Sequence, residues 1–248
     1  MDVFFWVTMI VGTFGLILTA YKLFGLYGLY GFAALALVIA NIQVLKNVTM
    51  LGFAATLGNV VFSATFLTTD IIGEIYGKAK AKVAVYIGFF SAIVFLVTIQ
   101  LALWFPAAPG DWAQPHMEAL FTILPRITVA SLTAYFFSNL HDVWAFAFWK
   151  KIFPAKKYLW LRNNASTVVS QLVDSTLFAF IAFLGIFPLG VVIEIALTTY
   201  ILKVIVAVAD TPFVYLARRM KENGGVGILL SGELKVADHR LTEALTAE

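Results

Sequence analysis

The sequence predicts an all-α integral membrane protein, and three observations carry that expectation. Of 248 residues, 61% are apolar and only 12% are Asp, Glu, Lys or Arg, about half the charged share of a soluble domain. Apolar runs fall at 3–20, 28–45, 53–76, 83–105, 119–149, 165–187 and 189–217, against a need of about 20 residues to cross about 30 Å of hydrocarbon. The cations gather in alternate joints between these runs. Runs such as Val83–Phe105 do not alternate, which excludes a barrel built from segments of about ten alternating residues.

The first run follows Asp2 and has no basic flank, so it reads as a retained span rather than a cleaved signal. The fifth run is too long for one straight crossing: its 119–149 stretch would reach about 46 Å as a helix. Pro125 suits a first helical turn, which places the span at about 125–149 and lays 117–124 along the outer interface. The chain then reads as a transmembrane domain over 1–220 and a short cytoplasmic tail over 221–248. The tail opens on Gly224, Gly225 and Gly227 and carries an amphipathic stretch at Leu234, Ala237, Leu241 and Ala244.

Orientation follows from the positive-inside rule. Lys78, Lys80 and Lys82 follow the third run. Lys150, Lys151, Lys156, Lys157 and Arg162 follow the fifth, and Arg218, Arg219 and Lys221 the seventh. The opposite joints at 106–118 and 185–190 hold no Lys or Arg. The expectation is about seven spans with the N-terminus outside and the C-terminus inside, in a cell (inner) membrane. The net charge of +3 and the pI near 9.0 therefore have a topological explanation and do not call for nucleic acid. With no cysteine and three dispersed histidines, no disulfide framework, metal centre or cofactor is expected.

The informative charges are those the rule leaves over. Lys46, Arg126 and Lys203 lie outside the cation-rich joints. Asp70, Glu74, Asp142, Asp174, Glu194 and Asp210 lie within or at the ends of spans. A charge at mid-bilayer costs at least about 2.5–3.5 kcal/mol on the insertion scale, so these groups must face one another, a cavity or the headgroups. In the sixth run Asn163, Thr167, Ser170 and Asp174 recur every three to four residues, with Ser166 and Gln171 beside them, forming one polar stripe. Depth alone suggests an outer group of Asn41, Arg126, Asp174 and Glu194. An inner group would hold Asp70, Asn139, Asp142, Lys203 and Asp210. Mixed charge with many amides and hydroxyls suits a planar multi-donor ligand, such as a guanine-like ring, better than a bare ion.

Four segments give a sharper reading: FLTTDIIGEIYGKAKAK (66–82), PRITVASLTAYFFSNLHDVWAF (125–146), NNASTVVSQLVDSTLFAFIAF (163–183) and EIALTTYILKVIVAVADTPFVY (194–215). Together and in this order they resemble the queuosine precursor transporter family, also called the vitamin uptake transporter group. The resemblance implies six core helices like the substrate-binding subunits of energy-coupling-factor transporters, so the first run becomes an extra N-terminal helix. It implies import of 7-cyano- or 7-aminomethyl-7-deazaguanine or a related base. The matching positions are Asp70, Arg126, Ser131, Asp142, Ser166, Gln171, Asp174, Glu194 and Lys203, with Asn41 matching less closely.

Three other readings compete. A retinal protein would use Lys203 as its Schiff base, but positions one turn away are Thr199 and Ala207, not a carboxylate. An intramembrane hydrolase would need His141 beside Ser131 or Ser170, and Ser131 is about 15 Å from His141 along the helix. An ATPase-coupled binding subunit would need a partner, because the chain has no Walker motif. Ala36 and Ala40 form a small-xxx-small pair that could dock such a helix. A homodimer is the other assembly considered.

Overall fold

The computed structural model describes residues 2–50, 53–122 and 125–229. The helices are α1 (Asp2–Gln43), α2 (Gly58–Ile75), α3 (Lys78–Leu103), α4 (Ala113–Phe121), α5 (Pro125–Ile152), α6 (Leu159–Phe183) and α7 (Leu189–Glu222). A 3₁₀ turn at Lys156–Tyr158 precedes α6. Four of these helices, α1, α3, α6 and α7, are long and apolar enough to cross a membrane.

The first two expected runs lie on the two arms of α1. Gly25, at φ 59° and ψ −137°, breaks the helix between them. Such a φ is open to glycine at little cost. The contacts show that the chain reverses there. Phe14 of the first arm meets Phe213 of α7, with ring centroids 5.1 Å apart. Tyr21 meets Tyr76 at the end of α2. Tyr30 of the second arm donates to the Lys80 carbonyl at 3.2 Å, and the second arm then runs alongside α3. The arms pack so closely that a Cβ on Gly28 would lie 2.1 Å from the Ala20 carbonyl oxygen.

The third run begins later than expected. Residues 53–56 are not helical: β2 (Phe53–Thr56) pairs antiparallel with β1 (Asn47–Met50), Asn47 opposite Thr56 and Met50 opposite Phe53. Valine and threonine in the first strand favour extended backbone. Helix α2 starts only at Gly58, where the chain passes so near the second arm of α1 that a Cβ would meet the Ala40 carbonyl at 2.7 Å. Its 18 residues still reach about 27 Å.

Helix α2 is the centre of the bundle, buried almost end to end. That position explains why it can be the more polar helix. Thr65, Thr68 and Thr69 return their hydroxyl protons to carbonyls of the preceding turn, so they need no partner elsewhere. Around it stand α1, α3, α5 and α7, with α6 packed between α5 and α7. Ala36 and Ala40 are 1% and 4% exposed. The small pair is therefore consumed inside the bundle and leaves no groove for a partner helix. The segment expected along the outer interface, 117–124, falls partly on α4, which has no buried residue. The amphipathic stretch expected at 234–244 lies outside the described residues.

One end of the bundle collects the cations. Glu74, near the end of α2, accepts from Arg162 at 2.8 Å and from Arg218, and lies 3.5 Å from Lys150. Lys156 reaches Glu222 at 2.5 Å. Arg162, expected in a joint, is instead wholly buried. Its Nη1 donates to the Phe153 and Pro154 carbonyls at 2.8 and 3.1 Å. It fastens the start of α6 to the end of α2.

Candidate functional site

Helix α6 presents the polar stripe expected of it. Asn163, Ser166, Thr167, Ser170, Gln171 and Asp174 are all buried, on the side facing α5 and α7. The spacing of three to four residues places them on one face, and the bundle turns that face inward.

Asp174 forms an ion pair with Lys203 of α7, and Ser138 of α5 donates to its other oxygen at 3.3 Å. The Lys203 ammonium also lies 4.2 Å from the centre of the Phe62 ring, a cation–π contact that helps hold a buried charge. Depth placed Asp174 in an outer group and Lys203 in an inner one. The structure brings them together at the middle of both helices, because α6 and α7 run in opposite directions.

Below this pair lie three more buried carboxylates. Asp70 of α2 accepts from Thr167 at 3.2 Å. Asp210 of α7 accepts from Asn163 at 2.7 Å. Asp142 of α5 is close enough to Asp70 for the two carboxyls to interact directly, and Asp210 adds its charge to both. Ser166, Thr167 and Ser170 surround Asp142, but their protons go elsewhere. Ser166 donates to the Asn163 carbonyl, Ser170 to the Ser166 carbonyl and Thr167 to Asp70. Both oxygens of Asp142 and one of Asp70 are left without a donor. So are the Oδ1 atoms of Asn139 and Asn163 and the Oε1 of Gln171, whose Nε2 in turn lacks an acceptor.

A native interior leaves few buried polar atoms unpaired, because each costs about 1–3 kcal/mol. Here they gather on α2, α5 and α6. Among the described residues only Lys203 offers these four aspartates an ammonium, and Asp174 takes it. The cluster is rich in acceptors.

A second feature lies toward the opposite end from Glu74. A cavity of about 280 Å³ is lined by Asn41 of α1, Phe95 and Gln100 of α3, Phe121 of α4 and Thr128 of α5. The Asn41 amide nitrogen there has no acceptor. Helix α5 links cavity and cluster, since Thr128, Ser131, Ser138 and Asp142 follow one another at spacings of three, seven and four. Ser131 is half-buried between them.

Two expected site residues stand apart. Arg126 is exposed at the start of α5 and donates to the Ile181 and Leu184 carbonyls at 2.7 and 2.5 Å. It thereby caps the free carbonyls at the end of α6. Glu194 is exposed near the start of α7. Ser138, absent from the expected set, joins these residues through its bond to Asp174, and its position one turn from Asp142 was the available signal.

His141 and Ser170 do meet, Nδ1 to Oγ at 3.0 Å. Ser170 commits its only proton to the Ser166 carbonyl at 2.8 Å. The imidazole must then donate to Ser170 rather than accept from it, which is the wrong direction for a general base.

A family described as "Putative vitamin uptake transporter" matches residues 56–217. A Bacillus subtilis (strain 168) protein named "Probable queuosine precursor transporter" is 40% identical over 219 residues, covering 88% of this chain and 96% of that protein. The Escherichia coli (strain K12) "Queuosine precursor transporter" is 30% identical over 180 residues, covering 71% and 78%. A Haemophilus influenzae relative with the name "Probable queuosine precursor transporter" is 28% identical over 131 residues, or 53% of each chain. No solved structure matches.

Proposed function

The chain belongs to the vitamin uptake transporter family, a family of transporters and not of enzymes, and we propose that it imports a queuosine precursor base through the acceptor-rich cluster. The observation that carries this reading is the set of unpaired buried acceptors on Asp142, Asp70 and Gln171. A 7-deazaguanine presents N1–H and an exocyclic amine as parallel donors, which one carboxylate accepts in bidentate fashion. Its ring carbonyl needs a donor, which the Gln171 amide supplies. The aminomethyl form adds a cation, which answers the excess of carboxylate over ammonium better than the neutral cyano form does.

In this proposal Asp70, Asp142, Ser166 and Gln171 hold the base, and the Asp174–Lys203 pair closes the floor above them. Asn41 and Ser131 receive the base on its way from the cavity. Arg126 and Glu194 stand at the outer mouth. The cation-rich end faces the cytoplasm, in a cell (inner) membrane crossed about seven times, with the first arm of α1 added to six core helices resembling an energy-coupling-factor binding subunit. Residues 1–220 form the membrane domain. Solitary transport is favoured because Ala36 and Ala40 are covered within the chain.

Uptake of radiolabelled 7-aminomethyl-7-deazaguanine into cells lacking other precursor importers and coupling-factor ATPases tests the reading. Accumulation is expected. Accumulation only when the ATPases are restored would make the chain a binding subunit, and none in either strain would remove the proposal.

A further inference from the structure

We propose that the cation-rich end carries a binding site for a phosphate oxyanion, presented by the headgroup of an anionic phospholipid. A cavity of about 330 Å³ lies between the end of α2, the start of α3 and the end of α5, lined by Lys78, Lys150 and Lys151 together with Gly77, Val143 and Phe146. It is distinct from the central cluster, and it holds whichever base the chain transports, although it rests on the membrane reading.

Charge gives the first reason. No carboxylate among the described residues lines this cavity, and Glu74, which lies 3.5 Å from Lys150, is already shared with Arg162 and Arg218. Lys78 and Lys151 form no ion pair among the described residues. Lys78 is the first residue of α3. It is exposed, and it lines the cavity together with Lys150 and Lys151. Crowded cations without a counter-ion favour an anion between them.

Geometry gives the second. Lys150 is fixed in place by the Gly73 and Glu74 carbonyls at 3.2 and 2.5 Å, so its charge is aimed rather than mobile. Gly77, at φ 88°, turns the chain from α2 into α3, and no side chain caps the first amides of α3. Those amides add donors and a partial positive charge at the same rim. The wall beyond is apolar, formed by Val143 and the buried Phe146.

A phosphodiester on a glyceryl chain matches this combination: oxyanion toward three lysines, hydrocarbon toward an apolar wall, at headgroup depth. A free phosphate offers the same oxyanion and no apolar part. The lipid is the source the wall favours.

The test uses the full chain reconstituted in vesicles of phosphatidylcholine and phosphatidylglycerol in equal parts, then extracted in mild detergent, with retained lipid counted by native mass spectrometry. Wild type is expected to keep phosphatidylglycerol. The double variant K78Q/K151Q should keep about tenfold less. K157Q, which removes a cation of the same end outside the cavity, should retain as much as wild type. Retention unmoved by millimolar inorganic phosphate supports the lipid. Equal retention by wild type and K78Q/K151Q, or of phosphatidylcholine as readily as phosphatidylglycerol, would overturn the proposal. So would binding of inorganic phosphate with no retained lipid. The unfolding temperature of the double variant in detergent, expected to match wild type, separates loss of a site from loss of fold.

Discussion

Asp174 on α6 and Lys203 on α7 form a buried ion pair at the midpoints of two antiparallel helices, 1% and 5% exposed at their side chains. Breaking one half of such a pair strands a charge and costs about 3–5 kcal/mol. D174N is expected to lower the unfolding temperature and to abolish uptake while the protein still inserts. Replacing both partners, D174N/K203M, should recover most of the stability but not the uptake. Thermal unfolding in detergent, run beside cell uptake, checks both halves. Full transport by D174N would remove the pair from the site.

Asp142 tests the acceptor-rich cluster. Hydrogen bonds to charged groups are worth about 1.5–3 kcal/mol, so D142N should weaken the cationic aminomethyl base by about 10- to 150-fold. The neutral cyano base should be weakened less. Competition binding on purified protein measures the ratio. An equal loss for both bases would mean that Asp142 does not meet the cation.

Glu74 has a different task. It joins α2 to Arg162 of α6 and Arg218 of α7 at the cation-rich end. E74Q should destabilise the bundle by about 3–5 kcal/mol, because Arg162 stays buried without its carboxylate. The affinity of correctly folded protein for its base should hardly change. A stable E74Q protein that fails to bind would place Glu74 in the site.

Gly28 carries the close approach of the two α1 arms. G28A puts a Cβ 2.1 Å from the Ala20 carbonyl, and backbone cannot yield as a flexible side chain does. Overpacking of this kind costs about 1–3 kcal/mol. The expected result is a lower unfolding temperature, with G31A, which meets nothing within 4 Å, close to wild type. Two unchanged variants would show that the arms do not pack in this way.

The helices were legible because apolar length is a property of composition, and so was the break near Gly25, where the apolar pattern lapses. The stripe on α6 was legible because helical period is written directly in residue spacing. The β1–β2 hairpin was not, since four-residue strands rich in small and apolar residues look like the edge of a span. Pairings between helices were also hidden. Nothing in the sequence says that Asp174 reaches Lys203 or that Arg162 turns inward to Glu74, because helix adjacency is set by packing of the whole bundle. Depth and the family resemblance both singled out Arg126 and Glu194. Depth does not reveal which way a side chain points, and Arg126 turned to the carbonyls at the end of α6.

The most direct measurement is equilibrium binding of radiolabelled 7-aminomethyl-7-deazaguanine to purified protein, with unlabelled base, guanine and riboflavin as competitors. Saturable binding displaced by the unlabelled base, more weakly by guanine and not by riboflavin, is the expected result, and it should be lost in D142N. Displacement by riboflavin, or binding that survives in D142N undiminished, would contradict the assignment of the buried acceptors to a 7-deazaguanine.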